Sequence, residues 1–533
     1  MSTINKKKTP KPDVKKHENF MGGTSWFLSD PLSQLKMAAS SCFFGEPMYY
    51  HSETGKKPKV VTAASSRLTG SDQGHVRTTL GAIDPVEWRS LSPSKMLETA
   101  IDAALAFDAD ATLAFAVELR NKDFIRTTPQ VIMVRAANRK EIKGTNLISK
   151  YAQGIIRRPD ETCVQLAYQT STFGKPIPNS LKRAWKKALE NFNEYQISKY
   201  RMESRDVKLV DVMNVSHPKG AAFDKLAKGE LKLNDNTWES MISKNGSNKE
   251  TWTKAVGVMG HMALIRNISN LEKNGVDPSV FVSKMVDTAK TGKQLPFRYY
   301  SAYKHATSAK VKDALEDCLE ISMSEIPKFP GKTISLCDNS GSAHGTMTSS
   351  LGEMQVSSIA NLTGIVTAKN SDEGYVGVFG DRLEVFDIRK KSSVFDELKK
   401  IESAGAKIGS ATENGIWLFF DKAIKNKEHW DNIFVYSDMQ AGHGGLYGVD
   451  PSAYKSYKWQ NGRNIDVAML VKEYRKINPN VNVFLVQVAG YQDTLIPEYY
   501  NRTYILGGWG QGVLQFAGKM IEAGQQQAQP AQQ

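Results

Sequence analysis

The spacing of apolar residues divides the chain in two. From about residue 20 to 325 apolar positions recur with a helical period, in segments broken by Gly, Pro and Asn, and few stretches alternate as strands do. Helices are predicted over Lys95–Phe107, with Ser94 as N-cap, over Ser180–Tyr195 and over Trp252–Asn274. Trp185, Leu189 and Phe192 share one face of the second. Leu264, Ile268 and Leu271 form a stripe on the third, which Asn274-Gly275 would cap. Stacked helix pairs without a strict repeat predict an α-solenoid of HEAT-like units, with a compact irregular bundle as the alternative.

From residue 331 the pattern alternates between strands and helices. Strands are predicted at Thr333–Cys337, Tyr375–Phe379, Arg382–Phe386, Ile433–Ser437, Asn482–Val488 and Thr503–Leu506. Helices are predicted at Met347–Thr367, Ser393–Ala404, Glu413–Ile424, Ile465–Ile477 and Gly512–Ala523. Gly380-Asp381 reads as a two-residue hairpin turn, so one antiparallel edge is expected on an otherwise parallel, doubly wound α/β sheet. The expected division is a basic disordered arm over 1–19, an all-α repeat domain over 20–328, an α/β domain over 329–522 and a Gln-rich tail over 523–533.

Charge sharpens this division. The net charge of the whole chain is +14, yet residues 331–533 carry 20 Lys and Arg against 21 Asp and Glu, leaving 50 against 35 for residues 1–330. The whole basic excess therefore lies in the helical part, which points to a polyanion such as nucleic acid; a solvated basic face without a partner is the competing reading. Cys42, Cys163, Cys318 and Cys337 are far apart and form no C-x-x-C pair, against a zinc site or a disulfide framework. No apolar run reaches the length of a membrane span and no secretory signal is visible, so a cytoplasmic protein is expected.

The candidate chemistry sits directly after the first strand of the α/β part. Asp338-Asn339-Ser340-Gly341-Ser342 places one carboxylate and two hydroxyls at alternate positions at a strand's C-terminal end, where open α/β sheets bind ligands. Hard cations such as Mg²⁺ or Mn²⁺ take about six oxygen ligands, and Thr412, in a turn-rich loop where Ser410 is a hydroxyl alternative, and Asp438, after the strand 433–437, stand in order to complete such a shell. A strand-to-helix turn with an N-capping Ser is the simpler reading of the motif alone. The spacing resembles the metal-ion-dependent adhesion site of von Willebrand factor A domains.

A basic helical module followed by such a domain resembles the Ro family of RNA-binding proteins, whose helical part is the TROVE module. The resemblance rests on Gly257-Val258-Met259-Gly260-His261-Met262-Ala263-Leu264-Ile265-Arg266-Asn267-Ile268, on Leu295-Pro296-Phe297-Arg298-Tyr299, on Thr24-Ser25-Trp26-Phe27-Leu28 and on Asp338–Ser342. It implies a ring of HEAT-like repeats closed by a von Willebrand factor A domain. It also implies that Y-type noncoding RNA binds the basic outer surface, that single-stranded 3′ ends of misfolded RNA enter the ring, and that the protein acts in RNA quality control. A 3′-to-5′ exoribonuclease of the polynucleotide phosphorylase type is an implied partner. Duplex RNA offers shape and phosphates to such a surface, whereas single strands offer unstacked bases.

Candidate RNA contacts follow from that resemblance and from clustering. Lys182, Arg183, Lys186, Lys187, Arg201, Arg205, Lys208, His217 and Lys219 lie in the middle helical region, interleaved with Trp185, Tyr195 and Tyr200; a solvated helix face would also explain many of them. Arg126, Arg135 and Arg139 are candidates for the ring's interior, and Arg266 lies in the best-matching segment, where His261 is expected to be buried. No nucleophile, base and orienter stand together, so a non-catalytic scaffold is expected. The alternatives are a metal-dependent protein-binding adaptor and, less well supported by so few carboxylates, a metal-dependent nuclease.

Overall fold

The computed structural model describes residues 14–18, 24–28, 30–41, 93–203, 205–232, 237–292, 294, 296–324, 326–345, 355–409, 413–439, 459–460, 464–465, 467–488, 495, 502–508 and 511–528. Two strands, β1 (Val14–Glu18) and β2 (Thr24–Leu28), pair antiparallel near the start. Part of the arm expected to be disordered is thus a strand. It runs in register against Thr24–Leu28, with Val14 opposite Leu28 and Glu18 opposite Thr24.

Helices then continue to Met323. The helix Ala109–Asn121 packs on Thr127–Ala137 and on Leu147–Ile155; Thr127–Ala137 packs on Pro159–Thr172, and Leu147–Ile155 on Asn179–Leu189. Helices next but one in the chain thus pack on each other along this run, the pattern of a stacked array. One apolar core runs through this stack from Leu35 to Leu231, with Trp185 at zero exposure and its indole N–H donated to Gln165 Oε1 at 2.6 Å.

Two predicted helices are broken. Ser180–Tyr195 becomes Asn179–Leu189 and Glu194–Lys199, because Asn193 caps the second helix: its side chain accepts from Gln196 N–H at 2.9 Å while Gln196 Oε1 accepts from Asn193 N–H at 3.1 Å. Trp252–Asn274 becomes Lys249–Val258, His261–Arg266 and Ile268–Lys273. Met259 and Gly260 are extended, and the chain restarts at His261, whose buried ring bonds Thr288 Oγ1 at 3.1 Å and Tyr299 OH at 2.9 Å. The stripe Leu264, Ile268 and Leu271 is nonetheless buried.

The α/β part is a six-stranded sheet, β3 (Phe329–Asp338), β4 (Ser371–Phe379), β5 (Leu383–Asp387), β6 (Asn432–Ser437), β9 (Asn482–Gln487) and β10 (Thr503–Gly507). A short antiparallel pair, β7 (Trp459–Gln460) and β8 (Asn464–Ile465), precedes β9. The order is β10-β9-β6-β3-β4-β5, parallel throughout except for the β4–β5 edge. Phe379 pairs with Leu383, so three residues rather than two make that hairpin. The helix predicted at 465 starts at Val467 because Ile465 is taken by β8, and the last helix runs Gln511–Ala528, into the segment expected to be an unstructured tail. The helix predicted from Met347 starts at Val356, with 346–354 outside the described residues.

Alternate residues of β6 feed two cores, Phe434 and Tyr436 on one face and Ile433 and Val435 on the other. The first core continues into the helices Lys249–Met323, so the end of the helical array and the sheet share one interior. The start of the array reaches the sheet separately: the helix Pro31–Ser41 lies on β10, and Met37 is buried in the second core. Asp123 approaches the last helix as well, 3.1 Å from where a Cβ on Gly512 would stand. The α/β domain therefore holds both ends of the array.

That second junction tolerates no side chain at Gly507, where a Cβ would lie 2.5 Å from Met37 Cα and 2.7 Å from its carbonyl oxygen. Gly507→Ala is expected to cost about 1–3 kcal/mol and to detach the first helix. Thermal melting together with a rise in radius of gyration checks this; a variant that melts and scatters like the parent refutes the junction.

Candidate metal centre and nucleic-acid interface

β3 and β6 are neighbours, but the chain leaves β3 toward β4 on one side and returns to β6 on the other. Their C-terminal ends form the switch point at which open α/β sheets bind ligands. Asp338 ends β3 and Asp438 follows β6, and both are completely buried. Asp338 Oδ1 accepts from Ser340 N–H at 2.9 Å and Oδ2 from the Ser437 hydroxyl at 2.5 Å. Ser340 Oγ is 3.1 Å from Ser342 Oγ, and Ser342 faces solvent. Thr412 and its alternative Ser410 lie outside the described residues.

Burial pushes the Asp338 carboxyl above the usual carboxylate range, and the hydrogen bonds from Ser437 and Ser340 oppose it. No described Lys or Arg forms an ion pair with Asp338. A cation would offset that desolvation, and two hydroxyls 3.1 Å apart match adjacent corners of an octahedral shell, whose edge is about 3.0 Å for ligands near 2.1 Å. The donors are all hard oxygens, suited to Mg²⁺ or Mn²⁺. Among the described residues no group of three or more His, Cys, Asp or Glu is placed to hold a metal, so such a shell would lean on hydroxyls.

The loop itself is fixed from behind. Asn339 and Asn361 exchange amide hydrogen bonds at 2.8 and 2.9 Å, Asn339 also donates to Cys337 O at 3.1 Å, and a Cβ on Gly405 would lie 2.1 Å from Asn339 Oδ1. His344 sits in the short helix Gly341–Gly345, its Nδ1 3.0 Å from Ser340 O. Ser437 was not among the candidates from sequence; a hydroxyl directly before Asp438 on a buried strand was its only signal.

The basic candidates separate into two kinds. On the helix Asn179–Leu189, Leu181, Ala184, Trp185, Ala188 and Leu189 are buried, while Arg183 and Lys187 are exposed and Lys182 and Lys186 half-buried. None of these four cations forms an ion pair with a described carboxylate. His217 and Lys219 are exposed beyond the helix Leu209–Ser216, with His217 in the left-handed region at φ 50°, and Arg205 and Lys208 are half-buried. Arg266 is also exposed without a described ion pair, near the exposed Val258 and Met262.

The other kind is committed internally. Arg135 is 7% exposed and bonds both Asp102 oxygens, Tyr168 OH at 2.6 Å and, at 3.5 Å, Glu98. Arg126 pairs with Asp160 at 3.1 Å, Arg139 with Glu141 at 3.1 Å and the Asp102 carbonyl at 3.2 Å, and Arg201 donates to Leu231 O. Arg126, Arg135 and Arg139, candidates for the ring's interior, therefore have carboxylate partners within the chain: the Asp160-Glu161 helix start for Arg126, Asp102 for Arg135 and Glu141 for Arg139.

The geometry is that of a stacked helical array docked on a doubly wound α/β domain, with an oxygen-rich site at the switch point of the sheet. Residues 220–329 match the TROVE domain family. Over 92% of this chain and 99% of its own, the Ro (RSR) protein of Deinococcus radiodurans has a similar fold, with a TM-score of 0.55 and 13% sequence identity. No curated protein matches the chain. Residues 220–329 thus resemble a TROVE domain, and the chain as a whole shares the fold of that Ro protein.

Truncating Arg135 would strand the Asp102 and Glu98 carboxylates on the helix Pro93–Phe107. Arg135→Ala is expected to cost about 3 kcal/mol in denaturant unfolding, whereas Arg183→Gln should leave unfolding within about 0.5 kcal/mol of the parent. Equal stabilities would contradict the assignment of Arg135 to the interior.

Proposed function

We propose that this chain is a non-catalytic RNA-binding scaffold. The observation that carries the reading is the set Lys182, Arg183, Lys186 and Lys187: four cations on one helix whose opposite face is core, with no described carboxylate paired to them. A surface that keeps its cations from internal partners suits a phosphate backbone, where each contact releases counterions. His217 and Lys219 extend it. The ligand in this reading is a small structured RNA of Y type, bound along the outside of residues 20–328. Single-stranded ends of misfolded RNA would take the ridge of Val258, Met262 and Arg266, where apolar and cationic side chains stand together.

In the same reading the 329–522 domain holds Mg²⁺ or Mn²⁺ through Asp338, Ser340 and Ser342, with Asp438 and Thr412 completing the shell. The solvent-facing side at Ser342 leaves room for an acidic group of a partner, and a 3′-to-5′ exoribonuclease would act on RNA the scaffold presents. Among the described residues no helix is long and apolar enough to cross a membrane.

Binding of a stem-loop RNA with a single-stranded 3′ tail tests the RNA reading. Changing Lys182, Arg183, Lys186 and Lys187 to Gln should weaken it about tenfold or more and flatten the plot of log K against log salt by roughly 3. Parent protein that binds no such RNA at low salt, or a variant with an unchanged slope, overturns it. For the metal, added Mg²⁺ should raise the melting temperature of the parent and leave Asp338→Asn unmoved; an equal rise in both removes the site from Asp338.

A further inference from the structure

The junction between the helical array and the α/β domain gathers cations that the charge balance of the two parts, taken separately, does not reveal. The helix Pro296–His305 lies against Val394–Gly405 through three rings. Phe395 is stacked on Tyr300 at 5.8 Å between centroids and packs on Tyr303 at 4.3 Å. Lys304 Nζ lies 4.5 Å from the Tyr300 centroid, and Lys312 and Lys399 Nζ lie 5.4 and 5.1 Å from that of Tyr303. Lys399 also donates to Tyr303 OH at 2.9 Å. Two of these lysines belong to the helical part and one to the α/β domain.

The acidic groups at the junction are mostly used elsewhere. Glu402 accepts from Tyr300 OH at 2.6 Å and Ser358 Oγ at 2.8 Å. Glu316 accepts from Ser393 Oγ at 2.5 Å and from Val394 N–H. Lys399–Asp396, at 3.0 Å and with both side chains more than half exposed, is the one ion pair the three lysines make among the described residues. Lys312 and Lys399 lie 5.4 and 5.1 Å from one ring centroid and so stand no more than 10.5 Å apart, about one Debye length at 0.1 M salt, where like charges still repel unless an anion joins them. The ring faces hold each ammonium in place and cannot neutralise it.

We propose that Lys304, Lys312 and Lys399 form a phosphate-binding site for the RNA backbone that spans the two domains, so that bound RNA touches the helical array and the α/β domain together. This rests on the RNA reading above. An acidic peptide shares the anionic chemistry, but the junction continues a helical part carrying 50 basic against 35 acidic residues, which favours nucleic acid.

The test uses the full chain and the stem-loop RNA with a single-stranded 3′ tail. The variant Lys304→Gln/Lys312→Gln/Lys399→Gln should bind about tenfold more weakly, with a salt slope smaller by roughly 2, while its melting temperature stays at that of the parent. The corresponding triple Arg variant should bind as the parent does. Unchanged affinity and slope in the Gln variant overturn the site while leaving the Lys182 surface intact. Loss of binding to a Glu-rich peptide without loss of RNA binding overturns the choice of ligand. Parent protein that binds no RNA overturns this proposal together with the reading it rests on.

Discussion

Gly507 brings the backbone of β10 against the backbone of Met37, and the closed course of the chain depends on that approach. One end of the helical array merges with the sheet through a shared apolar interior and an unbroken chain from Met323 to Phe329. The other end has no such continuity. It is held by the small helix Pro31–Ser41, whose Met37 enters the core beneath Ile334, Leu485 and Ile505. Apolar burial at one residue and the absence of a Cβ at another therefore decide whether the array is an open curve or a closed one.

Charge is distributed by the same economy. Arginines that lie between helices, such as Arg135 and Arg126, are matched by carboxylates and spend their donors on cohesion. Lys182, Lys186 and Lys187, on the outer face of the helix Asn179–Leu189, form no ion pair with a described carboxylate. The planar fork of arginine suits bidentate internal pairing, and the flexible, strongly hydrated ammonium suits the surface. Net charge alone would count both kinds toward a polyanion site, although only one is available to it.

Much of this was legible in the residues. The change of apolar period near residue 331 marks the passage from helices to strands, and four of the six sheet strands differ from their predicted bounds by no more than one residue at either end, while β3 and β4 each start four residues earlier than predicted. The motif Asp338–Ser342 stands out in the sequence because a carboxylate and two hydroxyls alternate directly after a strand. What was hidden is of two kinds. Breaks such as Met259-Gly260 depend on a tertiary anchor, His261 against Thr288 and Tyr299, which no local pattern announces. The pairing of Arg135 with Asp102, 33 residues away, is a consequence of stacking and has no signature in either segment.

The helix Val394–Gly405 touches both halves of the molecule at its two ends. Gly405 abuts Asn339 in the loop of Asp338, and Phe395 lies between Tyr300 and Tyr303 of the helical array, with Glu402 tied to Tyr300 and Ser358 between them. A twelve-residue helix is a rod of about 18 Å. Because a Cβ at position 405 would already overlap the Asn339 side chain, the contact has no slack to absorb a shift of the loop. Any repositioning of Asn339 must push the rod, and its far end would carry the displacement into the aromatic seat of the neighbouring domain.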